Sequence, residues 1–263
     1  MLLRDRNAVI YGGGGAIGGA VARALARQGA RIFLAGRSRG KLAAVAEEIR
    51  AAGGSAEFAQ VDALDEQAVN AYADAVAAKA GGIHIALNAV GVMHVQGRPL
   101  AELSYADFDY PVATYIRTNF ITAKAVARYM TGQGVILTLS TPVSHMAGPG
   151  YMGHCVACAG IEAMTRHLAG ELGAQGVRAI CIRSHAIPEA AANGSHSREV
   201  FGQMADPAGI SVAEMLAGAA TGTLLKRLPT LTQIAETAVF LASDNAGAMT
   251  GTVANLSCGM SLN

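Results

Sequence analysis

Ala8-Val-Ile-Tyr11 runs straight into Gly12-Gly-Gly-Gly15-Ala-Ile-Gly18, and the reading of this stretch decides the fold. Four apolar residues followed by a run of glycines predict a short buried strand that ends in a tight turn. A helical pattern follows, with Val21, Ala24 and Leu25 on one face and Arg23 and Arg27 off it. Strand, glycine turn and helix, in that order, form the context that a dinucleotide-binding turn requires. Glycines let the backbone come close to a pyrophosphate. The helix N-terminus offers it free N–H groups and the positive end of a dipole. Gly12, Gly14, Gly15, Ile17 and Gly18 are the expected contacts along the turn.

The next apolar run, Arg31-Ile-Phe-Leu-Ala35, ends in Gly36-Arg37-Ser38. At this point of such a unit a carboxylate would accept hydrogen bonds from the adenosine ribose. None is present. Arg37 and Ser38 offer donors suited to a 2′-phosphate, with Arg39 and Lys41 adding positive charge. The expected cofactor is therefore NADP(H) rather than NAD(H). An amphipathic helix follows over 41–52, then a strand over 56–61 leading to Asp62 and Ala63, and a helix capped by Asp65. A fourth strand over 83–87 runs into Asn88, Ala89, Val90 and Gly91.

Strands continue to alternate with helices down the chain. A polar loop over 92–104 precedes a long helical region in which Pro111 is expected to cause a break. Strands are predicted over 134–140, 176–182 and 251–256, and helices over 151–173 and 234–242. Residues 188–230 interrupt the rhythm, with helix recognisable only from about Val212. An insertion of that length at the carboxyl edge of a sheet reads as a lid or substrate-binding region. The fold expected for 1–263 is α/β, a single Rossmann-type domain with a seven-stranded parallel sheet and helices on both faces.

Composition narrows the function classes. Hydrophobic residues make up 52% and charged residues 15%, so a large core is expected. A net charge of +1 points to neither nucleic acid nor a membrane surface. No apolar run approaches the roughly 18 residues that span a bilayer, and the first residues lack signal-peptide anatomy, so the expected location is cytoplasmic. The four cysteines do not form a disulfide framework. Cys155-Val-Ala-Cys158 has no second ligand pair at a suitable spacing, so no metal is expected. His145, His185 and His196 fall on loops near the expected pocket and read as solvated loop residues rather than ligands.

Several motifs together resemble the short-chain dehydrogenase/reductase family over nearly the whole chain. Tyr11-Gly12-x-x-x-Ala16-Ile17-Gly18 is similar to its T-G-x-x-x-G-x-G turn. Gly12, Gly15 and Gly18 have the spacing of the family's extended members. Asp62 matches the acidic residue that meets the adenine, and Asn88-Ala-Val-Gly91 resembles N-N-A-G. Asn119 matches the active-site Asn that holds a water in the proton relay. Phe240-Leu-Ala-Ser-Asp244 followed by Thr250-Gly251 resembles the C-terminal pattern.

The resemblance implies hydride transfer between a nicotinamide and a carbonyl or alcohol, with Ser, Tyr and Lys as catalytic residues. Aligned on Ala159-Gly160 and on 165–172, the chain has His154 at the Tyr position and Cys158 at the Lys position. Thr141 falls at the Ser position, with Ser140 beside it. The usual Pro-Gly after the sixth strand is Ser184-His185; Ile187 remains, and Glu189 replaces a nicotinamide-contacting Thr. Three readings stay open. His154, with an unperturbed pKa near ~6.5, is the proton donor to a carbonyl. Alternatively, Tyr151, seven residues before Cys158, acts as in the enoyl reductase branch and a C=C bond is reduced. Lastly, the protein binds NADP(H) without the family's redox chemistry. The resemblance further implies a small-molecule substrate and a homotetramer or homodimer built on the helices near 104–130 and 150–173. Val200, Phe201, Met204, Met215 and Leu216 suggest a mostly apolar substrate.

Overall fold

The computed structural model describes residues 1–262 apart from 131 and 194. Seven strands form one parallel sheet: β1 (Asn7–Tyr11), β2 (Arg31–Gly36), β3 (Ser55–Gln60), β4 (Ile85–Asn88), β5 (Val135–Ser140), β6 (Arg178–Ser184) and β7 (Thr252–Leu256). Their order is β3-β2-β1-β4-β5-β6-β7. Side chains alternate across such a sheet. Ile10, Leu34, Leu87 and Ile180 enter one core with helices α1 (Ala16–Arg27), α2 (Arg39–Ala51) and α9 (Leu231–Ala242). Val9, Phe33, Ala86 and Ile136 enter the other, with α3 (Glu66–Ala80) and α4 (Tyr105–Ala127). Strand order reverses between β1 and β4, and the crevice at that switch point is where such sheets bind ligands.

Gly12 makes the first turn possible. Its φ is +78°, and a Cβ there would lie 2.4 Å from Ala89 O at the end of β4. Asp65 caps α3 as expected, accepting from the N–H groups of Gln67 and Ala68 at 3.0 Å. Two expectations need correction. Pro111 does not break the helical region, since α4 is continuous through it. The proline costs one intrahelical hydrogen bond. In return it is buried against α5 (Met152–Leu172), where a Cβ on Gly153 would lie 3.0 Å from Pro111 Cγ. Residues 188–205 are also more regular than expected. They form α6 (Pro188–Ala192) and α7 (Ser197–Ala205) ahead of α8 (Val212–Gly222). Among the described residues no helix is long and apolar enough to cross a membrane.

Candidate active site

The carboxyl ends of the strands and the segment α6–α8 enclose a cavity of ≈ 930 Å³. At the end beside β2 it is lined by Gly12, Gly14, Gly15 and Ile17, by Arg37, Ser38 and Lys41, and by Asp62, Ala63, Ala89 and Val90. No side chain caps α1, so its first N–H groups point at the turn uncommitted. Ser38 precedes α2 without capping it, which leaves its hydroxyl for a ligand. Arg37 is exposed, whereas Arg39 lies over the Phe58 ring at 5.4 Å and does not line the cavity. Uncapped N–H groups, a glycine turn, and an exposed arginine beside an uncommitted hydroxyl gather at this end of the cavity, with Glu48 and Asp62 also in its lining.

Two residues expected along this path act from behind it. Gly18 does not line the cavity; a Cβ there would lie 2.3 Å from Gly12 O, so it lets α1 close onto the turn. Asn88 is buried and also outside the lining, donating to Thr122 Oγ1 and accepting from the Val90 N–H, both at 3.0 Å. It braces the end of β4.

At the end beside β5 the lining includes Thr141, Tyr151, His154, Cys158 and Ile187. Thr141 Oγ1 lies 3.6 Å from Cys158 Sγ, and Cys158 Sγ lies 3.8 Å from His154 Nε2. Ser140 is committed elsewhere, donating to Glu162 Oε1 at 2.6 Å, so Thr141 is the hydroxyl that faces the cysteine and histidine. Tyr151 precedes α5 by one residue and is half-buried. Asn119 is buried outside the lining, donating to Tyr115 O at 2.9 Å, with its Oδ1 unpartnered. Among the described lining residues, lysine and arginine are confined to Arg23, Arg37 and Lys41, all near β2.

His154 is stacked on His94, with ring centroids 4.2 Å apart and planes 13° from parallel. His94 is fixed in turn. Its Nδ1 meets Val92 O at 2.9 Å, and since a carbonyl only accepts, Nδ1 carries the proton. Its Nε2 then accepts from Gln96 Nε2 at 2.8 Å. Gln203 of α7 clamps this segment, accepting from the Gln96 N–H at 3.0 Å and donating to His94 O at 3.2 Å.

Burial dominates the electrostatics here. It pushes His154 down to about 3, helped by His94 and His196, and pushes the Cys158 thiol up to about 12 against the opposing pull of Thr141. His94 and His196 are lowered by the same cause. The expectation that His154 titrates near neutrality is therefore corrected, because a ring stacked on another imidazole inside an apolar wall stays neutral. Since its folded value lies below the unfolded one of about 6.5, the unfolded chain alone takes up this proton as pH falls. Stability is unaffected above pH 7 and drops by roughly 2 kcal/mol by pH 5. Urea unfolding at the two pH values checks this, with His154→Phe expected to reduce the difference.

His145, His185 and His196 also depart from the solvated-loop reading. His145 is exposed but holds Glu162 Oε2 at 2.9 Å, while His185 and His196 are partly buried in the cavity wall. Glu189 is turned away from the cavity and accepts from the Leu231 N–H at the start of α9, at 2.6 Å.

The family model described as enoyl-(acyl carrier protein) reductase matches residues 14–261. The chain belongs to the short-chain dehydrogenase/reductase family. A probable galactose dehydrogenase of Rhizobium meliloti is 30% identical over 251 residues, covering 94% of this chain and 92% of that one. A short-chain type dehydrogenase/reductase from Mycobacterium ulcerans is 26% identical with a TM-score of 0.85, over 99% of this chain and 91% of that one. A short-chain dehydrogenase from Burkholderia cenocepacia, solved in complex with NADP, is 22% identical with a TM-score of 0.82, over 99% of each chain.

Sequence reasoning missed His94, Gln96, Tyr115 and Gln203, which belong to a loop and to helices far away in the chain. It also missed Glu162, whose carboxylate takes a bidentate pair from Arg183 at 2.8 and 2.7 Å and donors from Ser140, Ser144 and His145. Burial would raise Glu162, but Arg183 and these donors outweigh it and hold it at about 2. A signal existed, since Glu162 and Arg183 are lone opposite charges beside apolar runs.

Proposed function

We propose that the protein is an NADP(H)-dependent oxidoreductase that reduces the carbonyl of a small, mostly apolar substrate, with His154 and Thr141 serving where the family uses Tyr and Ser. The observation that carries this reading is a single cavity. One end is lined by Arg37, Ser38 and the glycine turn, and the other by Thr141, His154 and Cys158. The dinucleotide, when bound, supplies the hydride. Gly12, Gly14, Gly15 and Ile17 hold its pyrophosphate, Arg37 and Ser38 its 2′-phosphate, and Asp62 and Ala63 face its adenine. Thr141 Oγ1 and a neutral N–H of His154 would donate to the substrate oxygen and stabilise the negative charge that develops there, and the alkoxide would take the His154 proton to complete the alcohol, the ring being reprotonated by water. A neutral imidazole donor needs no helper cation, which accords with a neutral thiol at position 158.

Segment 188–230 is the substrate lid in this reading. Val200, Phe201, Met204, Met215 and Leu216 supply its apolar wall, and the Gln203 clamp ties α7 to the His94 backbone. Replacing Gln203 with alanine is expected to raise the substrate KM about fivefold and leave NADPH affinity unchanged. Steady-state kinetics with a fluorescence titration check this. Tyr105, Tyr110, Phe120, Met152 and Val156 are exposed on α4 and α5, which supports a homodimer or homotetramer built on those helices.

A second reading has one observation in its favour. Tyr151 also lines the cavity, one helical turn before His154, as the acid of a C=C reductase would. Panels of apolar ketones and of enones, followed by loss of NADPH absorbance, separate the two. Ketone turnover that survives Tyr151→Phe supports the first reading. Enone turnover abolished by Tyr151→Phe supports the second. NADPH that binds and is oxidised by neither panel leaves a cofactor-binding protein without the family's redox chemistry.

A further inference from the structure

His185 follows directly on β6, and its ring is locked in one tautomer. The N–H of Ala186 donates to His185 Nδ1 at 2.6 Å. Nδ1 is therefore an acceptor, and the ring proton resides on Nε2. That Nε2 is buried and has no hydrogen-bond partner, although His185 lines the cavity. A buried donor left unpaired is destabilising, and folded proteins rarely carry one without a use. The strand register says where it stands. Ser140 of β5 is paired with Arg183 of β6, so Thr141 and Ser184 continue side by side and His185 is one residue beyond them. It thus sits at the same sheet edge as Thr141, whose hydroxyl lies 3.6 Å from Cys158 Sγ.

The chemistry of the missing partner follows from the donor. Burial lowers the proton affinity of His185, so the ring is neutral at pH 7. A neutral N–H has no charge to offer a phosphate, and the cations of the cavity lie near β2. We propose that His185 Nε2–H is a recognition donor for a neutral carbonyl-type oxygen of a ligand, either the carboxamide of the nicotinamide cofactor or the carbonyl of the substrate. This rests on the reading of the cavity as a cofactor and substrate site. The sequence puts His185 on a loop beside the expected pocket and assigns its side chain no ligand contact. The tautomer and the unpaired Nε2 assign it one.

Two variants test it. His185→Leu removes the donor, while His185→Gln offers an amide N–H at nearly the same reach. NADPH dissociation constants come from fluorescence titration of wild type and both variants, and the substrate KM from steady-state kinetics at saturating NADPH. If the oxygen is the cofactor's, His185→Leu weakens NADPH about tenfold, His185→Gln restores most of it, and KM stays unchanged. If it is the substrate's, the tenfold effect moves to KM with the same rescue, and NADPH binding is unchanged. Unchanged values of both in His185→Leu overturn the proposal. So does a loss that His185→Gln fails to recover in a protein whose thermal midpoint has fallen. Wild-type protein that binds no NADPH sinks the cofactor reading itself, a failure distinct from that of His185.

Discussion

His154→Phe is expected to lower kcat/KM for carbonyl reduction about 10²–10³-fold, while NADPH binding stays within about twofold of wild type. The substitution is chosen to isolate one atom. Phenylalanine keeps a flat ring to stack on His94, which lies 4.2 Å away in the native pair, and keeps the site apolar. What it removes is the N–H that would meet the substrate oxygen. Thr141 remains as a second donor, which is why the loss is not larger. The pH dependence adds a further check. Burial holds His154 at about 3, so the wild-type rate should show no titration of this group between pH 6 and 8. An inflection near 6.5 that disappears in His154→Phe would mean that the ring is far more open to water than its burial implies. Equal rates in His154→Phe and wild type, with a collapse in Tyr151→Phe, would transfer the donor role to Tyr151.

Arg37→Glu is expected to weaken NADPH about 100-fold and to leave NADH within a few-fold. A charge-assisted bond to a phosphate is worth about 1.5–3 kcal/mol, and the added carboxylate repels the same group. Arg37 is exposed, so the effect should shrink as salt screens it. No other group replaces it well. Arg39 is held over Phe58, and Lys41 lies against Gly14 with its stem. Titrations of both cofactors at low and physiological salt measure the ratio. NADH that binds wild type more tightly than NADPH would refute the role given to Arg37.

These two residues differ in how far the sequence foretells them. The role proposed for Arg37 rests on local signals: the chain reaches it at the end of β2, and it lines the same end of the cavity as the glycine turn that β1 feeds. The same locality explains the sheet. Apolar strands, glycine turns and a capped helix at Asp65 each declare themselves within a short window. Local rules also misled. Pro111 reads as a breaker from its own chemistry, yet α4 runs through it, with the ring packed close to Gly153 of α5. His154 is legible as a position and not as a charge. Its neutrality comes first from burial and then from His94, sixty residues earlier on a polar loop that Gln203 clamps from a helix the sequence of 188–205 did not announce. Glu189 reads as a substituted cofactor contact, yet its carboxylate finds the free N–H of Leu231.

A crystal structure with NADP⁺ bound tests the central claim most directly. The expected result has the 2′-phosphate against Arg37 and Ser38, the pyrophosphate on the turn that precedes α1, and the nicotinamide C4 facing His154 and Thr141. A cofactor whose nicotinamide is turned out of the β5 end, or whose adenosine makes no contact with Arg37, would contradict it.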